Sequence, residues 1–390
     1  MSAFTSHRSL GGNHIIITKM NLFTIGGLTK HALTTTLITI ALIPLLLSTS
    51  NALSSSAVTP PTSSSHQTQP RRAFIVTGGN KGQGYALCER ILSEYDDTHV
   101  FLASRNHTRG EDAVAQLQTK LRATRDRVEV LPLDVTDDES VSAAADYVRQ
   151  RCHGGCVGDG EEGKEGGGLV LQGLVSNAGV LWGYSFPEVL DVCTVGVRRV
   201  LDAFLPLVES SGKIIVVSSG LGPLMYGFAS SERQEKLRNA SDWKTIEDIV
   251  NELITASDKD NDATTLETIG FGGGPFADTA PDFHTYGLAK MLADVYMVSL
   301  AKRHPRVSFY ACDPGLVYTD LIQRIPRYTG KSHEEVPNAK TPFEGVEAAM
   351  RLLFDRYGDG DGKDRPSGAF YAVNKEGVLV HSDIDKRPDV

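Results

Sequence analysis

The chain has 390 residues, of which 41% are hydrophobic and 22% charged, with a formal net charge of −9. This is the composition of a globular protein, long enough for two domains or one large α/β domain with insertions. The first 70 residues hold Arg8, Lys19 and Lys30 and no acid, so the rest carries 36 basic and 48 acidic side chains, a net of −12. So acidic a body, without a basic run, excludes nucleic acid as a partner, because phosphate neutralisation needs clustered Lys and Arg. Five cysteines in this length do not make a disulfide scaffold.

Residues 1–70 read as a targeting segment followed by a linker. Leu33 to Leu47 is apolar and uncharged, with Lys30 before it and small residues after it. The run is short for a membrane span and contains Pro44, so it fits a cleaved signal. The Ser/Thr/Pro-rich stretch to Pro70 cannot build a core and resembles transit or linker sequence. The expected destination is the plastid or the secretory/ER pathway. An uncleaved membrane anchor is the alternative, and would be the chain's one membrane contact. Asn106-His107-Thr108 and Asn239-Ala240-Ser241 have the form of glycosylation acceptors.

From residue 71 to 385 the pattern alternates strand and helix. Strands are expected at Ala73–Thr77, Val100–Ala103, Val128–Leu133, Leu169–Val175, Lys213–Val217, Val307–Ala311 and Gly368–Val373. Helices are expected at Tyr85–Tyr95, Ala113–Leu121, Val141–Val148, up to Leu207, Tyr286–Arg303 and Phe343–Phe354. This rhythm predicts an α/β, doubly wound domain, with a mostly parallel sheet covered by helices on both faces and ligands beyond the strands' carboxyl ends. Two stretches interrupt it, a glycine-rich loop at 154–168 and a long insertion at 220–285. Cys152-His153-x-x-Cys156 lacks a second ligand pair and reads as part of a tether. The calcium-like run from Asp359 has Asp364 where a loop glycine belongs and Phe370 where the closing Glu belongs. No metal site is expected.

Between the first strand and helix lies Thr77-Gly78-Gly79-Asn80-Lys81-Gly82-Gln83-Gly84. Glycines let backbone N–H groups approach a diphosphate, and a helix N-terminus favours the anion. Gly78, Asn80, Lys81, Gly82 and Gly84 are therefore candidate dinucleotide contacts. An acid at the end of the second strand would hold the ribose hydroxyls of NAD. That place holds Arg105, with Arg109 nearby and Lys81 in the turn, which points to the 2′-phosphate of NADP(H).

The series continues with Leu133-Asp134-Val135, Ser176-Asn177-Ala178-Gly179, Val217-Ser218-Ser219, Tyr286-Gly-Leu-Ala-Lys290 and Asp313-Pro314-Gly315 with Thr319. In this order it resembles the short-chain dehydrogenase/reductase family, most closely its NADPH-dependent carbonyl reductases. The resemblance implies a Rossmann fold of about seven strands and reduction of a ketone, aldehyde or quinone. It implies roles for Asn177 at the adenosine ribose, Asp134 at the adenine edge, and Thr319 at the nicotinamide or diphosphate. Pro314, Gly315 and Val317 join these as cofactor contacts, and Tyr286 and Lys290 serve the cofactor as well as the chemistry.

The residues themselves support that chemistry. A carbonyl receiving hydride builds negative charge on oxygen and needs a donor and a proton. Ser219 is the expected donor and Tyr286 the expected acid. Lys290, one helical turn later, is expected to lower the tyrosine pKa. Two departures stand out: Cys193 occupies the usual relay asparagine, and Gln83 sits between the glycines. They keep open a non-catalytic NADP(H)-binding or redox-sensing protein. Action as a dehydrogenase on a lipid-like alcohol is a third reading.

Ile246, Ile249, Val250, Leu253 and Ile254 make an amphipathic helix within the insertion. In the carbonyl reductases a similar segment covers the face used for oligomerisation, so a monomer is expected. Phe271 to Phe276 reads as a flexible lid, and Trp182, Tyr184 and Met225 as either pocket walls or core.

Overall fold

A computed structural model of the protein describes residues 70–122, 124–153, 168–257, 263–277, 279–354 and 365–383. The expected targeting segment, most of the glycine-rich loop with Cys156, and the calcium-like run as far as Asp364 lie outside the described residues.

Eight strands form one sheet in the order β3-β2-β1-β4-β5-β6-β7-β8. They are β1 (Arg71–Thr77), β2 (Thr98–Ser104), β3 (Val128–Pro132), β4 (Leu169–Ser176), β5 (Lys213–Val217), β6 (Ser308–Asp313), β7 (Ala369–Val373) and β8 (Leu379–Ser382). β1 to β7 run parallel and β8 pairs antiparallel with β7. The edge strand β8 corrects the expected count of seven. Its four residues are too few to show an alternating pattern. The turn before it was the readable signal: Asn374 Oδ1 accepts from Val378 N at 2.8 Å, and Gly377 takes a φ of 77°.

The central strands are buried on both faces, as a parallel sheet between helices requires. Ala73 and Ile75 of β1, with Phe101 and Ala103 of β2, face a core shared with α3 (Asp138–His153), α5 (Gly196–Phe204) and α10 (Pro281–Arg303). The alternate residues Phe74, Val76, Val100 and Leu102 face α1 (Gly82–Glu94), α2 (His107–Lys120) and α13 (Glu347–Phe354). Gly173 makes room for the Phe74 ring, since a Cβ there would stand 2.6 Å from Phe74 Cδ1. The expected helix Phe343–Phe354 is broken into α12 (Pro342–Gly345) and α13.

The chain builds β1, β2 and β3 in one direction, then returns to place β4 on the other side of β1. That reversal opens a crevice beyond the carboxyl ends of β1 and β4, where ligands of such sheets bind. The other helices between β4 and β7 are α4 (Phe186–Leu190), α6 (Leu221–Phe228), α7 (Ser231–Arg238), α8 (Trp243–Ser257), α9 (Ala263–Thr268) and α11 (Asp320–Gln323). The stripe on α8 packs on the body, with Ile246, Ile249, Val250 and Leu253 fully buried and Ile254 partly so. Among the described residues, no helix is long and apolar enough to cross a membrane.

Candidate active site

The crevice is a cleft of about 840 Å³. Its floor begins where β1 ends. Thr77 Oγ1 accepts from the backbone N–H of both Asn177 and Ala178 at 2.9 Å, and Asn177 Nδ2 donates to Thr77 O at 2.9 Å. These bonds tie the ends of β1 and β4 together, and they commit the Asn177 amide to the floor.

The glycine turn then reverses the chain into α1. Gly78 and Gly82 take φ values of 65° and 56°, a region costly for other residues. Gly84 is required for another reason: a Cβ there would stand 2.3 Å from Gly78 O and 2.7 Å from Asn177 Nδ2. The first turn of α1 has no acidic residue and no side-chain cap. With no side-chain cap among the described residues, its N–H groups form the kind of cradle that binds a diphosphate. Thr319 faces this turn from the loop after β6, its Cγ2 lying 3.4 Å from where a Gly82 Cβ would be.

At one end of the cleft stand Arg105, Arg109 and Asp134. Arg105 Nε is 3.9 Å from Asp134 Oδ2, and Asp134 Oδ1 accepts from Thr136 N and Oγ1 at 3.0 and 2.7 Å. Asn106 Oδ1 caps α2 by accepting from Arg109 N at 2.9 Å, and Asn106 also lines the cleft. Lys81 differs from the expected cation trio. Its Nζ lies 2.6 Å from Asp320 Oδ2, an ion pair across the mouth of the cleft.

At the other end stand Ser219, Tyr286 and Lys290. Ser219 follows β5, and its Oγ accepts from Leu221 N at 3.3 Å, which leaves the hydroxyl proton available. Lys290 is 3% exposed; its Nζ donates to Val217 O at 2.7 Å and sits 5.5 Å from the Tyr286 ring centroid. Three groups thus converge from β5 and α10.

The electrostatics correct one expectation. Burial pushes the Tyr286 phenol up, Lys290 pulls it down, and Cys193 and Asp313 push it up again, so the net direction is upward. Burial pulls Lys290 down, but the pull of Tyr286, Cys193 and Asp294 outweighs it and the ammonium is retained. Lys290 lowers the phenol as expected of a neighbouring cation, but burial wins.

Cys193 lies in a single π-helical turn, Asp191–Val195, that interrupts the helix joining α4 to α5. Its thiol is buried, packs 3.5 Å from both N and O of Val180, and is pushed above the ordinary thiol range by burial. A Cβ added at Gly179 would lie 3.6 Å from Lys290 Nζ and 3.7 Å from Cys193 Sγ, so both groups border one point of the cleft.

Pro314, Gly315 and Val317 line the cleft opposite α1, with Gly315 at a φ of 77°. Trp182 and Tyr184 are cleft walls, whereas Met225 is buried in the core. The glycines from 272 to 274 do not make a loose lid. A Cβ at Gly272 would stand 2.3 Å from Glu267 N and one at Gly273 2.8 Å from Phe228 O, and His284 Nε2 bonds Phe271 O at 2.8 Å. The segment is pinned, and it sends Phe276 into the cleft beside Phe283, with 5.8 Å between ring centroids. Leu321, Ile322 and Ile325 after Thr319 also line the cleft and escaped the sequence reading. Their i, i+1, i+4 spacing was the available signal.

The short chain dehydrogenase family profile matches residues 72–231. The chain is 30% identical to the NADPH carbonyl reductase 1 of Homo sapiens over 292 residues, 71% of this chain and 89% of that protein. It is 27% identical to (+)-neomenthol dehydrogenase of Arabidopsis thaliana over 319 residues, 78% of this chain and 96% of that one. Salutaridine reductase from Papaver somniferum has a similar solved structure, with a TM-score of 0.58 at 25% identity, covering 77% of this chain and 99% of its own. With this sheet order, a glycine-lined cradle and a Tyr/Lys pair on the helix before β6, the chain belongs to the short-chain dehydrogenase/reductase family of oxidoreductases, among its carbonyl reductase-like members.

Proposed function

We propose that the protein is an NADP(H)-dependent reductase that turns a ketone, aldehyde or quinone carbonyl into an alcohol. The observation that carries this reading is the convergence of Ser219, Tyr286 and Lys290 on the cleft that also holds the glycine cradle. The residues suit the dinucleotide. Gly84 leaves room that any Cβ would fill, the first turn of α1 presents open N–H groups, and arginines rather than an acid follow β2. Gly78, Asn80, Gly82, Gly84 and Thr319 would hold its diphosphate, and Arg105 and Arg109 its 2′-phosphate. Asp134 and Asn177 would border the adenosine, and Pro314, Gly315, Val317, Tyr286 and Lys290 the nicotinamide half.

When bound, the reduced cofactor supplies hydride to the carbonyl carbon. Ser219 donates a hydrogen bond to the carbonyl oxygen as charge develops there. Tyr286 delivers the proton from its phenolic oxygen. The upward shift of the phenol suits that task, because it stays protonated at neutral pH and still gives its proton to a far more basic alkoxide. Lys290, fixed by Val217 O, keeps a positive charge beside the phenolate that results. Trp182, Phe276 and Phe283 give an aromatic wall for an apolar substrate, and Arg324 Nη1 bonds Trp182 O at 3.2 Å at the rim. Burial of the α8 stripe against the body supports a monomer.

The buried thiol of Cys193 favours a second reading, a non-catalytic NADP(H)-binding protein, because a thiol replaces an amide poorly in a proton relay. Incubating the protein with NADPH and a panel of quinones, diketones and aldehydes separates the two. The reductase reading expects NADPH oxidation with at least one carbonyl. Tight NADPH binding without turnover across the panel would overturn it.

A further inference from the structure

Asp294 lies on α10 one helical turn beyond Lys290 and two beyond Tyr286, and it is 0% exposed. Its carboxyl sits at the seam between α10, α6 and the end of β5. Ser218 Oγ lies 2.6 Å from Oδ2, and Oδ1 has no hydrogen-bond partner among the described residues. The fold makes space for this acid: a Cβ at Gly222 of α6 would stand 2.7 Å from Oδ2. A fully buried carboxyl with one oxygen unpaired is costly wherever it serves packing alone.

Its neighbours belong to the proton-handling groups. Ser218 stands between Val217, whose carbonyl holds Lys290, and Ser219. The charged groups facing Asp294 are Lys290 on its own helix and Asp313 at the end of β6; Cys312 on β6 also feels its charge. The residue after β5 is the neutral Ser218, and α6 presents Gly222. Cys193 on the π turn and Tyr286 act on the same ammonium.

Resting on the reductase reading, we infer that Asp294 is a positioning residue whose charge, set behind Lys290, offsets part of the ammonium's field and keeps the Tyr286 phenol protonated. The site is thereby held in the protonated form that carbonyl reduction needs. Burial pushes Asp294 up to about 7, Ser218 and Lys290 pull it down, and Asp313 adds to the rise. The carboxyl is therefore ionised throughout the alkaline range in which the phenol titrates.

The test is a titration of the Tyr286 phenolate by ultraviolet difference absorbance in the full-length protein, each form being referenced to its Tyr286→Phe counterpart. Asp294→Asn keeps the shape and an acceptor for Ser218 but removes the charge. It is expected to lower the midpoint by about half to one pH unit, a roughly three- to tenfold larger phenolate fraction below the midpoint. Ser218→Ala keeps the charge and is expected to leave the midpoint in place. A midpoint unmoved or raised in Asp294→Asn overturns the inference, as does an equal drop in Ser218→Ala, which would mark a packing effect. If Asp294→Asn fails to fold, difference infrared spectroscopy of the wild type decides. A buried carboxylic acid band that persists into the alkaline range in which the phenol titrates overturns the inference, and a carboxylate there supports it. Tight NADPH binding by the wild type without turnover across the carbonyl panel would instead sink the reductase reading, so the two failures are distinguishable.

Discussion

Replacing Gly84 with alanine tests whether the cradle is as tight as its geometry requires. The new Cβ would sit 2.3 Å from Gly78 O and 2.7 Å from Asn177 Nδ2, so the turn would have to retreat by about 0.7 Å to reach even 3.0 Å. Retreat is resisted from behind, because Asn177 Nδ2 is bonded to Thr77 O and Gly78 holds a left-handed φ. Overpacking of this kind costs about 1–3 kcal/mol, against a gain of roughly 0.5–1 kcal/mol from alanine in a helix. A displaced cradle should weaken NADPH binding by about ten- to a hundredfold, since sub-ångström to 1 Å misplacements carry penalties of that order. The assay is NADPH titration by fluorescence or calorimetry, with thermal unfolding measured on the same samples. Gly227→Ala is the control, an exposed helical position where an added Cβ meets nothing within 4 Å, and it should leave binding unchanged. A folded Gly84→Ala protein that binds NADPH as tightly as the wild type would refute the assignment of this turn.

Further outcomes follow from the same site. Combining Arg105→Ala with Arg109→Ala should weaken NADPH by about a hundredfold or more and NADH little, at roughly 1.5–3 kcal/mol per charged hydrogen bond and one such bond for each arginine. Lys81→Ala should weaken NADPH less, because Asp320 already occupies its ammonium; an effect as large as that of the arginine pair would contradict this. The raised Tyr286 phenol fixes a sign for pH: carbonyl reduction should hold steady through neutrality and fall only at alkaline pH, as the proton is lost. Alcohol oxidation, which needs the phenolate, should rise over the same alkaline range, and parallel profiles in the two directions would argue against Tyr286 as the acid.

The strands at the centre of the sheet were legible because burial on both faces leaves continuous apolar runs, as in Ala73–Thr77 and Lys213–Val217. The cradle was legible because close backbone approach demands glycine, and Tyr286 and Lys290 because helical spacing puts them on one face. Less was readable where contacts join distant segments. The Lys81–Asp320 pair spans 239 positions, and neither residue hints at the other. The glycines after Phe271 looked like freedom, yet they exist because Glu267 and Phe228 leave no space for side chains. The balance between burial and Lys290 at Tyr286 depends on how much water the fold removes, which spacing does not encode. Asp294 passed unnoticed because a single acid within a helix looks like a surface residue until the helix is found to be buried on that side.

The central claim is that the Tyr286 phenol supplies the proton to a reduced carbonyl. The most direct measurement compares wild type with Tyr286→Phe in single-turnover NADPH oxidation, with NADPH affinity determined in parallel. Removing one oxygen atom should abolish nearly all turnover while leaving cofactor binding within about threefold, since loss of a general acid costs about 10²–10⁴ in rate. Turnover at the wild-type rate in Tyr286→Phe would contradict the account.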